Sequence, residues 1–264
     1  MNEKNQETRT ALVTGASRGL GAEVCRRLAE QGLRVLATSR APSGEKLVQQ
    51  LAGAGHDAEY HPLDVTNAAS VEKLANELAS AATRLDVLVN NAGVALNGFN
   101  ATVARDTLET NFFGVLRVTD ALLPLIPSGG CIVMVSSGMG DLSCVSPALR
   151  AQLLDPQLSI SALCELMQSF VVDVQQGRHQ SAGWPSSAYS VSKVGLNALT
   201  RILARDLVPR QIRINAVCPG WVRTDMGGSS APRSLKEGAA SIIWATASTG
   251  PTGGFFRDGV AIDW

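Results

Sequence analysis

The segment TALVTGASRGLG, Thr10 to Gly21, joins a short apolar run to a turn that contains three glycines. The run predicts a buried strand, and GLGAEVCRRLAEQG continues it as a helix that ends at Gly32. Glycines adopt backbone conformations that are closed to other residues, and they let a pyrophosphate approach a helix N-terminus. The spacing is G-x-x-x-G-x-G and not the usual G-x-G-x-x-G. We predict that this turn binds a dinucleotide through Gly15, Ser17, Arg18, Gly19, Leu20 and Gly21.

Beyond this turn, short apolar runs alternate with helical stretches. Further strands are predicted at 34–40, 57–65, 85–93, 131–137 and 213–220, and GGFFRDG near the C-terminus could add a seventh. Helices are predicted near 44–54, 67–82, 102–125 and 187–206. Such alternation requires right-handed crossovers and a parallel sheet. We therefore expect one α/β domain over residues 1–264, a Rossmann-like doubly wound sheet of about seven strands flanked by helices.

Two segments interrupt the alternation. Residues 138–183 carry helical periodicity where a short connection would be expected, and residues 221–238 are rich in Gly, Ser and Pro. Both follow strands, and in open α/β sheets ligands bind outside the carboxyl ends of the strands. We expect a helical insertion and a substrate loop that wall a substrate site.

The composition excludes several classes of protein. The 264 residues are 45% hydrophobic and 17% charged, and Lys+Arg equals Asp+Glu at 23 each, so no overall field favours nucleic acid or an anionic membrane. The five cysteines lack C-x-x-C spacing and the three histidines lack metal-ligand spacing, which predicts reduced thiols and no metal. The polar N-terminus has no core of a secretory signal, and no apolar run could cross a bilayer. We expect a cytoplasmic protein whose partner is a small molecule.

The second predicted strand indicates which dinucleotide binds. An acidic residue about 20 positions after the turn would hold an unphosphorylated ribose. Arg40 stands in that place instead, and Arg18 lies inside the turn. Two guanidinium groups can bind a 2′-phosphate, which favours NADP(H) over NAD(H). The alternative is that both arginines are ordinary surface charges.

Tyr189 and Lys193 lie four residues apart at the start of a predicted helix, in the segment YSVSK. Residues with this spacing share one helix face and can contact the same ligand. The spacing alone also occurs on solvated surfaces. The spacing indicates an active site when it occurs together with three other features. These are the glycine turn, the NNAG that ends the fourth predicted strand, and the two serines that end the fifth, Ser136 and Ser137.

TGASRGLG, NNAG, VSS, YSVSK and PGWVRT follow one another in the order typical of classical short-chain dehydrogenases/reductases, and the resemblance spans nearly the whole chain. The insertion before the tyrosine, the approach GRHQSAGWPSSAYSVSK and the ending GPTGGFFRDG resemble carbonyl reductases and plant monoterpenoid and alkaloid ketone reductases. This resemblance implies reduction of a carbonyl group with NADPH. It also implies a monomer, because in carbonyl reductases the insertion covers the surface through which many family members associate; a homo-oligomer stays open.

The resemblance also implies roles for individual residues. Tyr189 would be the general acid, Ser137 would orient the carbonyl oxygen, Lys193 would bind the nicotinamide ribose, and Asn111 would help to hold a water chain. The remaining cofactor contacts would come from Asp64, Val65, Asn91, Ala92, Gly93, Pro219, Gly220, Val222 and Thr224.

Elementary chemistry is consistent with these roles. A phenol has an ordinary pKa near 10, and a neighbouring cation stabilises its anion. Serine supplies a neutral donor where negative charge develops on oxygen. Strand alternation turns only one of Ser136 and Ser137 toward the site, and the family pattern favours Ser137. Tyr60, without such partners, is expected to serve packing.

The substrate is the least defined part of the prediction. Besides Ser137 and Tyr189, an apolar pocket could be lined by Met139, Leu142, Trp184, Trp221 and Met226, each of which could instead be core. This favours a small apolar ketone or aldehyde. Two alternatives are an NADP-dependent alcohol dehydrogenase that runs in the oxidative direction and a non-catalytic NADP(H)-binding sensor. The presence of Asn111, Ser137, Tyr189 and Lys193 together disfavours the sensor.

Overall fold

The sheet grows outward from β1 in both directions. The computed structural model describes residues 8–247 and 249–264. The polar first seven residues, which bear on the expectation of no secretory signal, lie outside the described residues. Within the described part the strands are β1 Thr10–Thr14, β2 Arg34–Ser39, β3 Ala58–Pro62, β4 Val87–Asn90, β5 Cys131–Val135, β6 Arg213–Val217, β7 Phe255–Arg257 and β8 Val260–Ala261. Their order is β3-β2-β1-β4-β5-β6-β7-β8.

The pairing is parallel except at one edge, where β8 runs antiparallel to β7. The predicted Rossmann-like sheet is confirmed, and the structure adds the two-residue strand β8 to the seven expected. After β3 the chain returns to the other side of β1 to form β4. This reversal creates the switch point at which open α/β sheets bind ligands, outside the carboxyl ends of the strands.

Helices cover both faces of the sheet. They are α1 Gly19–Glu30, α2 Ser43–Gly53, α3 Ala68–Ser80, α4 Ala101–Leu108, α5 Gly114–Leu122, α6 Pro147–Leu154, α7 Ile160–Gln175, α8 Ala188–Asp206 and α9 Leu235–Ala247. Alternate residues of a strand point to opposite faces. Leu12 of β1 accordingly packs in the apolar layer under α3, α4, α5, α7 and α8, while Ala11 and Val13 pack under α1, α2 and α9.

The helix predicted over 102–125 is interrupted. A π-helical turn over Glu109–Phe113 separates α4 from α5, and a 3₁₀ turn over Leu123–Leu125 ends the segment. A π-helical turn adds one residue to the helical ladder, and such turns are frequent at functional sites. Asn111 lies within it.

The segment between β5 and α8 contains α6 and α7. Helix α7 packs against α4 and α8 through Leu163, Met167 and Phe170, which are fully buried. It therefore extends the apolar layer on that face of the sheet.

Candidate active site

A cavity of about 1320 Å³ opens at the carboxyl edge of the sheet. Its lining comes from the glycine turn after β1 and from the segments that follow β2, β3, β4, β5 and β6. Every residue predicted for the cofactor lines it, as do Ser137, Met139, Tyr189, Lys193, Trp221 and Met226. Asn111, Leu142 and Trp184 do not line it.

The glycine turn after β1 leaves its backbone groups accessible from the cavity. Gly15 and Gly19 have φ of +67° and +57°, in the left-handed region that favours glycine. A Cβ at Gly21 would meet Gly15 O and would lie 2.6 Å from Asn91 Nδ2. The following helix α1 has no side-chain cap and no acidic residue in its first turn. Its first N–H groups therefore have no intrahelical or capping partner, which suits an anion such as a pyrophosphate.

The NNAG segment is fastened to this turn. Asn91 Nδ2 donates to Thr14 O at 2.8 Å and to Gly15 O at 3.2 Å. Thr14 Oγ1 accepts from Asn91 N at 3.0 Å and from Ala92 N at 2.9 Å. These bonds join the ends of β1 and β4 across the switch point. They fix the shape of the phosphate cradle, which is the glycine turn over residues 15–21 together with the side chain of Asn91.

Two arginines stand at the outer end of the cradle. Arg40 directly follows β2, is exposed and lines the cavity. Arg18 Nε lies 3.2 Å from Asp225 Oδ2, with the side chains of both residues about three-quarters exposed. The sequence did not indicate Asp225 as a partner, because it comes from the loop after β6, 207 positions away in the chain.

The structure distinguishes the two serines at the end of β5. Ser136 is buried and its Oγ donates to Asn197 Oδ1 at 2.7 Å. Ser137 hydrogen-bonds to the Tyr189 side chain, and its Oγ also accepts from Met139 N at 3.2 Å. Ser137 is therefore the serine that reaches the tyrosine, as the family pattern favours.

Tyr189 lies in the first turn of α8, which Ser187 caps by accepting from Ser190 N at 3.2 Å. Burial raises the pKa of Tyr189 above its ordinary value, and the hydrogen bond with Ser137 partly offsets this. Burial is the larger of these two influences, and the stabilisation of the phenolate by a neighbouring cation stays a prediction. The raised pKa favours the protonated form of the phenol.

Lys193 follows one turn later on the same helix face. Its Nζ donates to Val135 O at 2.9 Å and lies 5.6 Å from the centre of the Tyr189 ring. Burial lowers the pKa of Lys193 to about 8, because the buried ammonium loses its hydration. The lysine thus lies between the tyrosine and the end of β5.

Asn111 lies behind the cavity wall. Its Oδ1 accepts from Val94 N at 2.8 Å, and its Nδ2 donates to Val94 O at 2.9 Å and to Ser192 Oγ at 3.1 Å. Ser192 in turn donates to Tyr189 O at 2.7 Å. Both amide donors of Asn111 are therefore used by protein groups.

The predicted substrate residues divide into two groups. Met139, Trp221 and Met226 line the cavity and are half exposed at 53%, 57% and 52%. Leu142 is 1% exposed and belongs to the core, and Trp184 is 3% exposed with its ring 5.5 Å from that of Phe170. The substrate roles expected for Leu142 and Trp184 are corrected accordingly: burial of their apolar surface keeps both away from the cavity.

Two lining residues that the sequence did not single out are Cys218 and Arg257. Cys218 Sγ accepts from Gly138 N at 3.1 Å and from Arg257 Nη2 at 3.1 Å. The sequence alone could hardly identify these two residues. Arg257 is one charged residue at the end of a strand, and its contact with Cys218 depends on the pairing of β7 with β6.

Residues 8–247 and 249–264 contain no group of three or more His, Cys, Asp or Glu side chains that could hold a metal ion. No helix in that part of the chain has the length and apolar character to span a bilayer.

A doubly wound sheet with an exposed glycine turn at its switch point and a tyrosine and lysine at the same edge defines a Rossmann-type, dinucleotide-dependent oxidoreductase. The family model described as short chain dehydrogenase matches residues 9–147, and the model described as Enoyl-(Acyl carrier protein) reductase matches residues 158–249. The chain belongs to the short-chain dehydrogenase family.

Curated relatives align along almost the whole chain. Carbonyl reductase [NADPH] 1 of Sus scrofa is 38% identical and covers 98% of this chain and 96% of its own length. Carbonyl reductase [NADPH] 1 of Homo sapiens is 39% identical and covers 96% of this chain and 98% of its own length.

Solved structures of plant reductases are also similar. Salutaridine reductase from Papaver somniferum superposes with a TM-score of 0.88 at 31% identity, covering 95% of this chain and 99% of its own. Menthone neomenthol reductase from Mentha piperita superposes with a TM-score of 0.82 at 30% identity, covering 96% of this chain and 100% of its own.

Proposed function

We propose that this enzyme uses NADPH to reduce the carbonyl group of a small apolar ketone or aldehyde to an alcohol, with Tyr189 as general acid. The observation that carries the proposal is the position of Tyr189 beside Ser137 and Lys193, at the edge of the sheet that also holds the glycine turn. The carbonyl reductase relatives, which carry NADPH in their name, support the same activity.

NADP(H) is the cofactor that the lining residues suit. The glycine turn and the free N–H groups of α1 would hold the pyrophosphate, and Arg40, with Arg18, would bind the 2′-phosphate. A short-chain dehydrogenase/reductase from Burkholderia multivorans with bound NADP, 25% identical at a TM-score of 0.75, supports this assignment.

The remaining cofactor contacts are proposed along the same cavity. Asp64 and Val65 would meet the adenine, Asn91, Ala92 and Gly93 would pass beside the adenosine ribose, and Lys193 would meet the nicotinamide ribose. The nicotinamide itself would lie against Pro219, Gly220, Val222 and Thr224.

The chemistry divides between cofactor and protein. Bound NADPH supplies the hydride to the carbonyl carbon. Tyr189 Oη donates its proton to the carbonyl oxygen, and Ser137 Oγ donates a hydrogen bond to that oxygen while negative charge develops on it. The Lys193 ammonium stabilises the phenolate that remains, at a site from which water is largely excluded.

The raised pKa of Tyr189 is consistent with a role as proton donor in reduction. Burial keeps Tyr189 protonated near neutral pH, and a protonated phenol is a donor and not a base. The relatives named carbonyl reductase [NADPH] 1 support reduction, and NADP-dependent alcohol oxidation is the alternative.

The function is tested by comparing the two tyrosines of the chain. Tyr189→Phe should lower kcat for ketone reduction by about 10²- to 10⁴-fold, the usual contribution of a general acid, while NADPH affinity stays within a few-fold. Tyr60 does not line the cavity and its Oη donates to Ser39 O and Ala41 O, so Tyr60→Phe should keep kcat. Steady-state kinetics and fluorescence titration with NADPH measure both quantities. Normal turnover of Tyr189→Phe would refute the proposal.

A further inference from the structure

One guanidinium group in the cavity wall, that of Arg257, forms no direct ion pair within residues 8–247 and 249–264. Arg257 ends β7 and lines the cavity, where its Nη2 donates to Cys218 Sγ at 3.1 Å. Its Nε is buried without a hydrogen-bond partner, and its Nη1 has no partner in the described part of the chain either. Thiol sulfur is a weak acceptor, so one weak bond is what Arg257 obtains from its surroundings.

The other arginines around the cavity are differently placed. Arg233 binds both carboxylate oxygens of Asp258 at 2.6 and 2.7 Å, and Arg223 Nη1 donates to Pro232 O at 2.8 Å. Arg18 pairs with Asp225, and Arg40 stands at the exposed end of β2. No ion pair joins Arg257 to a carboxylate within residues 8–247 and 249–264. Asp258 interacts electrostatically with Arg257, but both of its carboxylate oxygens bind Arg233, so Arg257 is partly buried without an ion pair of its own. An anion from outside the chain would stabilise such a cation.

The cofactor phosphates are too distant to be that anion. The Arg257 guanidinium lies against Cys218, directly after β6, whereas the phosphate cradle follows β1. Strands β1 and β6 are three positions apart in the sheet, which is about 14 Å at the spacing of neighbouring strands.

The same guanidinium lies close to the proposed reacting carbonyl. A Cβ at Gly138 would lie 2.9 Å from Arg257 Nη2, and Gly138 directly follows Ser137. The glycine therefore leaves room for the guanidinium beside the serine that would orient the carbonyl oxygen. The half-exposed side chains of Met139, Trp221 and Met226 line the same cavity.

We propose that Arg257 determines substrate specificity by binding a carboxylate that lies a few bonds from the reacting carbonyl, so that the substrate is an oxo acid with an apolar body. This inference rests on the proposed carbonyl reduction and defines its substrate. Guanidinium groups bind carboxylates with charge-assisted hydrogen bonds, and Nη1 of Arg257 has no partner in the described part of the chain, whereas its Nε is buried.

The test uses the full chain with NADPH and three compounds of the same apolar body: 2-oxo-4-phenylbutanoate, its ethyl ester and 4-phenyl-2-butanone. The ratio of kcat/KM for the acid to kcat/KM for the neutral ketone is measured in wild type and in Arg257→Met. The intrinsic reactivity of each compound cancels when the two proteins are compared. We expect the ratio to fall at least tenfold in Arg257→Met and to be partly kept in Arg257→Lys.

Controls separate the possible outcomes. Arg223→Met removes a cavity charge of the same sign, and an equal fall there, or no fall in Arg257→Met, overturns the inference. The ratio of kcat/KM for the ester to kcat/KM for the ketone is a second control. If this ratio falls in Arg257→Met as much as the acid ratio does, the inference is overturned, because the ester carries no charge. If the wild-type enzyme reduces the ketone but not the acid, the proposed reductase function is supported and the proposed recognition of a carboxylate by Arg257 is refuted. Wild type that reduces none of the three compounds refutes both.

A second measurement does not depend on folding of the variants. 4-Phenylbutanoate lacks the oxo group and should inhibit wild-type reduction of 4-phenyl-2-butanone at least tenfold more strongly than 4-phenylbutanamide. Equal inhibition by the two compounds would overturn the role of Arg257.

Discussion

Lys193 is the residue whose charge the interior makes most sensitive to pH. Its pKa is lowered from 10.5 to about 8 by burial, so the free protein carries an ammonium below pH 8 and a neutral amine above it. The proposed reduction needs the ammonium to stabilise the Tyr189 phenolate. Activity should therefore be present below pH 8 and lost as pH rises.

The pH prediction can be measured directly. The value of kcat/KM for NADPH at saturating ketone, which reports groups of the free enzyme, should fall about tenfold per pH unit above pH 8. Lys193→Arg carries a group that stays protonated in this range, so its weaker activity should lack this decline. A wild-type profile that is flat to pH 10 would contradict the role of Lys193.

Arg40 tests the choice of cofactor at a single position. Arg40 is exposed at the end of β2, so we expect its side chain to contribute to ligand binding and not to packing of the fold. Charge-assisted hydrogen bonds contribute about 1.5–3 kcal/mol each, which is roughly ten- to a hundredfold in affinity.

Arg40→Asp should therefore weaken NADPH binding by at least about tenfold and leave NADH binding within about threefold, because NADH lacks the 2′-phosphate. Arg40→Lys, which keeps the charge but loses the bidentate geometry, should lie between the two proteins. Fluorescence titration with both cofactors measures this. Equal losses for NADPH and NADH would remove Arg40 from the phosphate site.

At the scale of elements, the fit of α1 against the switch point depends on Gly21. A Cβ there would collide with Gly15 O and with Asn91 Nδ2, both of which belong to the cradle itself. Gly21→Ala should lower NADPH affinity at least tenfold and destabilise the fold by about 1–3 kcal/mol, the usual cost of forcing atoms into a packed site.

Gly53→Ala is the matched control, because Gly53 also lies in a helix but a Cβ there would meet open space. That change should be neutral or stabilising by up to about 1 kcal/mol. Chemical unfolding and NADPH titration of both variants measure the difference. If Gly21→Ala behaved like Gly53→Ala, the close packing of the cradle would be unimportant.

The alternation of apolar runs and helical stretches predicted the sheet, because it repeats over many residues. It did not predict the π-helical turn at Asn111, since one added residue hardly changes a periodicity of 3.6. Trp184 and Trp221 are equally apolar in sequence, yet one packs on Phe170 and the other donates from Nε1 to Gly227 O at the cavity. Arg257 stands 119 positions after Gly138, so their contact arises only from the order of the strands.

At the scale of the whole molecule, the insertion decides which surfaces remain for association. Helix α7 lies over α4 and α8, with Met167 against Phe112 of the π-helical turn and Gly195 of α8. In the resemblance noted above, many members of the family associate through the helices that follow the fourth and fifth strands. Here α7 covers the parts of that surface that α4 and α8 form.

We therefore predict a monomer. Light scattering coupled to gel filtration should give a mass close to 27.7 kDa over a hundredfold range of concentration, with and without NADPH. A weak association through exposed residues of α7 such as Val172, which is 43% exposed, would raise the mass only at high concentration. A dimer or tetramer whose mass does not change with dilution would mean that α7 itself forms an interface, because it already covers α4 and α8. It would also show that the insertion adds a surface for association in place of the one it buries.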